Sequence, residues 1–266
     1  MRSILPLALI MGALAGLLVG GFMNVFNVPV MEWAIELEGA AAAAEAPAGE
    51  AEEEATGFLS TLETLGAQRI GLVLGLAVLG VVYGAIFTGL FHLVRRAFPG
   101  WNIWAWALIG GVLCFWSVSL FTQLKYPLNP PGIGEDGSLL ARQGFQFLFI
   151  LLSVVAVIAV TLVLRFTHEA GRESSQRFLA YAGTAAAYVV VAVALFAAIP
   201  GNPDPIPEWV PEGLIIMFRT FSILGHLLLW MIIALGVSSY TRYQERGLRA
   251  TASPAAGQEM ASASRQ

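Results

Sequence analysis

The amino-acid sequence predicts an all-α protein, a polytopic membrane helix bundle of six transmembrane helices with both termini cytoplasmic. Three observations lead there. First, hydrophobic residues make up 57% of the 266-residue chain and charged residues only 12%. Soluble domains carry about 25% charged and 45–50% apolar residues, so a chain this apolar needs lipid as part of its solvent. Second, six stretches reach the roughly 20 apolar residues that a helix needs to cross a hydrocarbon core about 30 Å thick. They are apolar on every side and about twice as long as the alternating strands of a membrane barrel. Third, the charges sort to alternate sides of those stretches.

The spans are expected at about 4–26, 70–94, 103–122, 145–164, 178–199 and 214–238. The first follows Arg2 and resembles a signal peptide. Its apolar run nevertheless exceeds the usual 7–15 residues of such a segment, and Asn24, Val25, Phe26, Asn27 and Val28 make a poor cleavage site. It is therefore read as a retained anchor. Small residues recur at four-residue spacing: Ala8, Gly12, Gly16 and Gly20 in the first span, and Gly71 with Gly75, then Gly80 with Gly84, in the second. Such rows let helix backbones approach closely, which suggests that these two spans pack together.

Between them, residues 39–57 are rich in Ala and Glu and read as a mobile acidic external loop. Just before it, Glu32 and Glu36 lie four apart, on one face if helical, and Trp33 suits the membrane interface. The transmembrane domain is expected to occupy 1–249, and residues 250–266 are expected to form a disordered cytoplasmic tail. With the N-terminus inside, ten of the fourteen basic residues fall on the cytoplasmic side, as the positive-inside rule requires. The outer side then sums to −10 and the inner to +6. An outer face of that charge would concentrate cations, although topology alone also places the bases inside.

Much chemistry is missing. There is no GxxxxGK[ST] loop for ATP and no HExxH, since His168 and Glu169 have no second histidine behind them. No GxSxG elbow occurs. Three histidines cannot build a haem-rich chain, and the single Cys114 excludes a disulfide framework or cysteine cluster. The chain reads as neither an enzyme nor a nucleic-acid binder, and no permanently bound cofactor is expected.

Two places stand out. The segment LKYPLNPPGIG, 124–134, holds three prolines and two glycines in eleven residues, so it is a stiff, shaped loop outside spans three and four. The sixth span carries Arg219, Ser222 and His226, whose offsets of three and seven put them on one helix face. Intramembrane ionisable groups are functional candidates. Arg219 should face the bundle and find a partner, with Glu212, Asp204, Glu208 or an acid near Glu36 as candidates. Gln123, Gln143, Gln146, Tyr188 and Asn24 are further polar groups able to line a path.

These residues carry a resemblance. Lys125, Tyr126, Pro127, Asn129, Pro130 and Pro131 of KYPLNPPGIG, the glycine-rich first span with the acidic IELE after it, Arg69-Ile70-Gly71, and FRTFSILGHLLLW at 218–230 look like the CbtA family, the membrane subunit of a probable cobalt transporter. His226 stands where the family pattern leads one to expect Gln, and the Ala/Glu run is longer than expected. The resemblance implies Co²⁺ uptake across the inner membrane for cobalamin synthesis, with a small one-span, histidine-bearing partner, CbtB. A homo-oligomer is a further possible assembly.

The physics permits this. Co²⁺ accepts imidazole and carboxylate ligands, which makes His226, Glu36 and Glu32 the metal candidates and Arg219 with Ser222 the groups along a path. A dication moving inward gains about 4.6 kcal/mol per 100 mV, on the order of a thousandfold accumulation without ATP. The rival reading is a non-catalytic accessory subunit that holds a larger membrane complex together through its small-residue faces.

Overall fold

A computed structural model describes residues 4–45, 51–130, 139–170, 173–201 and 206–263. Pro131 and Asp204, both singled out above, lie outside the described residues. Among those described there are seven helices and no strands: α1 Leu5–Phe26, α2 Val28–Glu45, α3 Ala51–Ala97, α4 Ile103–Lys125, α5 Leu139–Glu169, α6 Ser174–Ala198 and α7 Glu212–Ala263. Six are long and apolar enough to cross a membrane: α1, Gln68–Ala97 of α3, α4, Leu140–Glu169 of α5, α6, and Glu212–Arg246 of α7. Each contains most of an expected span. The ends run a few residues further because polar residues such as Arg95, Arg165 and Arg242 continue a helix once apolar residues have started it.

Local chemistry explains the boundaries. Pro6 sits in the first turn of α1, where a missing N–H costs nothing. The chain turns at Asn27, and Pro29 then removes one donor from the start of α2. Asn102 caps α4 by accepting the Ala105 N–H at 3.0 Å. Within α4, Phe115–Leu120 forms a π-helical stretch, which widens the helix and turns the residues beyond it. Alanine and glutamate are strong helix formers. Accordingly, α2 runs through Glu45 and α3 begins at Ala51, both inside the stretch expected to be loop, and α7 continues to Ala263 through the Ala-rich tail.

The closest packing joins α1 and α3. A Cβ on Gly12 would strike the Gly80 carbonyl, one on Gly16 the Leu76 carbonyl, and one on Gly84 the Ala8 carbonyl. The small-residue rows thus meet backbone to backbone, as their spacing implied. Gly71 and Gly75 do not take part, since a Cβ on either would meet nothing within 4 Å. Helix α7 then lies against α1 and α4, α3 against α4 and α5, and α6 against α5. The core centres on Trp230, which is fully buried and stacked on Tyr83 with ring centroids 4.7 Å apart. Helix α6 has no buried residue at all. Val189, Val190 and Val193 on it are exposed, as expected of a surface whose solvent is lipid.

Candidate functional site: a polar seam between α1, α4 and α7

The sixth span brings its three polar residues to one side, and two other helices supply their partners. Trp230 Nε1 donates to Ser119 Oγ of α4 at 3.0 Å. One turn earlier, His226 Nδ1 lies 2.8 Å from the Ser222 carbonyl and 3.3 Å from Gln123 Nε2, again on α4. One turn earlier still, Ser222 Oγ donates to the Phe218 carbonyl at 2.7 Å and accepts from Asn27 Nδ2 at 3.0 Å. At the top of this ladder, Arg219 donates from Nη2 to Asn129 Oδ1 at 2.8 Å and from Nε to the Leu128 carbonyl at 3.3 Å.

The protonation pattern of His226 follows from this geometry. A backbone carbonyl only accepts, so Nδ1 must carry the hydrogen it gives to Ser222. Gln123 would then face it donor to donor, and a half-turn of the Gln123 amide, placing Oε1 there, removes the conflict. In that tautomer Nε2 is the lone-pair nitrogen, the atom with which a neutral imidazole binds metal. One further oxygen of this seam, Asn27 Oδ1, is buried without a hydrogen-bond partner, and so is Thr122 Oγ1, next to Gln123 in the chain. Each such group typically costs about 1–3 kcal/mol.

Arg219 departs from expectation. Among the described residues its partners are neutral, a carbonyl and an amide, in place of the anticipated carboxylate. The cause is the proline-stiffened loop, which folds back over α7 and offers Leu128 and Asn129 first. The same loop is fastened on its other side. Lys125 Nζ donates to the Phe196 carbonyl at 2.7 Å and lies 5.7 Å from the Phe196 ring centroid. Tyr126 Oη donates to the Pro200 carbonyl, and burial pushes this phenol's pKa upward, keeping it a donor. Pro130 is fully buried and Pro127 half-buried. The segment thus clasps the ends of α4, α6 and α7.

The expected metal residues lie apart. Glu32 pairs with Arg69 of α3, and Glu36 is exposed on α2. Among the described residues no three His, Cys, Asp or Glu side chains form a group able to hold a metal ion. Of the other polar candidates, Gln123 joins the seam. Tyr188 accepts from Trp116 Nε1, and Asn24 donates to the Gly20 and Arg69 carbonyls. Gln143 is exposed. Asn27 and the Ser119–Trp230 pair are the participants that sequence reasoning missed. An asparagine at a span's end beside a proline was the one available signal.

Six apolar spans around a buried polar seam define a multi-pass α-helical membrane protein. Residues 1–242 match the CbtA family, described as a probable cobalt transporter subunit, and the chain belongs to that family. No protein of curated function and no solved structure gives a significant match.

Proposed function

We propose that this chain is a permease subunit for divalent cobalt uptake, set in the inner membrane with both termini cytoplasmic, and that it is not an enzyme. The observation that carries the reading is the uncommitted Nε2 of His226 in a seam that already has one unmatched oxygen, Asn27 Oδ1. An apolar bundle with no polar cargo gains nothing from such groups. A borderline dication uses imidazole and oxygen ligands. Glu32, Glu36 and the other outer acids attract the cation to the surface, and Arg219 with Ser222 shapes the way past the loop clasp. Arg219's charge opposes a cation on that path, so the route runs beside the guanidinium, on the Gln123 side of His226.

One imidazole is too sparse a site for high affinity. A small one-span subunit bearing histidines, of the CbtB kind, completes the ligand set, and the membrane potential drives transport. The test is radioactive Co²⁺ uptake in cells stripped of their own cobalt and nickel importers, with this chain expressed alone and with such a partner. Uptake that needs the chain and collapses with the potential supports the permease. Its absence despite verified insertion would sink that reading.

The second reading, an accessory subunit, is favoured by a specific observation. Arg219, Lys125 and Tyr126 are all spent on joining helices, as in a scaffold. Under it, His226→Ala changes nothing in uptake by the assembled complex.

A further inference from the structure

At the end of the bundle opposite the clasp, α3 ends, α4 begins and α7 leaves the core. A cavity of about 410 Å³ opens there between the first turn of α4 and the polar end of α7. Two arginines on one side of α7, Arg242 and Arg246, line it together with one carboxylate, Glu245. The side chains therefore leave one net positive charge. The first turn of α4 adds to it, because its N–H groups have no acceptor earlier in the helix and Asn102 Oδ1 takes only that of Ala105. Trp104 lines the same cavity, and its indole N–H is buried without a partner. Two guanidinium-bearing side chains and a helix N-terminus thus border one open space.

We propose that this cavity binds a phosphate group, and that the phosphate belongs to an anionic phospholipid headgroup. Phosphate suits the donors: arginine forks bind it through paired N–H groups and helix N-termini through free backbone N–H groups. The lipid source follows from depth. Trp101 is exposed and stacked on Phe98 at 4.3 Å, Trp106 donates to the Phe98 carbonyl at 2.7 Å, and the Arg95 guanidinium lies 5.3 Å from the Trp106 ring centroid. Indoles and arginines mixed at one level mark the headgroup layer. A basic pocket between helix ends at that level is built to hold a charged headgroup while its acyl chains run along the apolar helices. This site is separate from the polar seam and does not depend on what the seam transports.

The test uses the purified full-length chain in mixed micelles. Native mass spectrometry and thermal unfolding would compare phosphatidylglycerol, phosphatidylcholine and inorganic phosphate. Phosphatidylglycerol should be retained and should raise the unfolding midpoint more than phosphatidylcholine does. R242Q/R246Q should weaken that preference by about thirtyfold, at the usual increment for each basic residue near a membrane surface. E245Q should strengthen it, an effect that mere packing would not produce. R165Q/R177Q, which removes two arginines that do not line the cavity, should leave it unchanged. Equal retention of both lipids, or a preference that survives in R242Q/R246Q, would overturn the proposal. Stabilisation by inorganic phosphate alone, with no lipid preference, would overturn the lipid assignment. If R242Q/R246Q fails to fold, E245Q alone decides: no gain in phosphatidylglycerol retention rejects the site.

Discussion

His226 spends one nitrogen on its own helix and keeps the other. That division makes its substitutions informative. His226→Ala should lower cobalt uptake about tenfold or more, by analogy with lost metal-site groups, while detergent-solubilised complexes keep their size. His226→Gln keeps a donor for the Ser222 carbonyl but has no imine nitrogen. Wild-type uptake in that variant would remove imidazole ligation from the mechanism. Arg219 acts differently. Its planar fork reaches Asn129 and Leu128 together, and lysine offers a point charge without that geometry. Arg219→Lys should lower stability by about 1 kcal/mol, a figure discounted because the side chain is only half-buried. Limited proteolysis should then cut the 124–130 segment faster, and an unchanged cutting rate would argue against the clasp. The helix-face spacing of Arg219, Ser222 and His226 was legible from offsets of three and seven. Their partners were not, because Asn27 and Gln123 come from distant helices, and periodicity within one helix says nothing about which neighbour it meets.

Among the elements, the α1–α3 pair carries the sharpest structural expectation. Gly12→Leu or Gly80→Val pushes a side chain into a backbone carbonyl, an overpacking that costs about 1–3 kcal/mol or more. Gly71→Ala and Gly75→Ala project into open space and should stay within about 0.5 kcal/mol of the parent. Thermal unfolding in detergent distinguishes the two sets, and similar losses in both would contradict the observed seam. All four positions look alike in sequence. Spacing showed that small residues repeat but not which row faces the partner, since Gly71–Gly75 and Gly80–Gly84 lie on different sides of one long helix. The π-helical stretch of α4 was equally invisible, because nothing in FWSVSL, Phe115–Leu120, distinguishes it from sequence that forms an ordinary α-helical turn.

For the whole molecule, the six spans could be read from composition and length because lipid imposes both. Orientation rests on charge. The buried Cys114 is the chain's one cysteine, so single introduced cysteines report cleanly. In intact cells, a membrane-impermeant maleimide should label Glu38→Cys from outside. Tyr243→Cys, at a position 76% exposed, should react only after the membrane is opened. The reverse pattern would invert the topology and move the acidic surface to the wrong side for uptake.

The backbone seam between α1 and α3 also bears on how the chain is made. Glycine has no rotamers to freeze, so joining these two helices forfeits little side-chain entropy. They are also consecutive spans, joined through residues 27–67, so no later span is needed to complete the pair. The pair can therefore zip together as a hairpin while the ribosome is still synthesising α4, giving α7 a finished wall against which to lay its polar face when it arrives last.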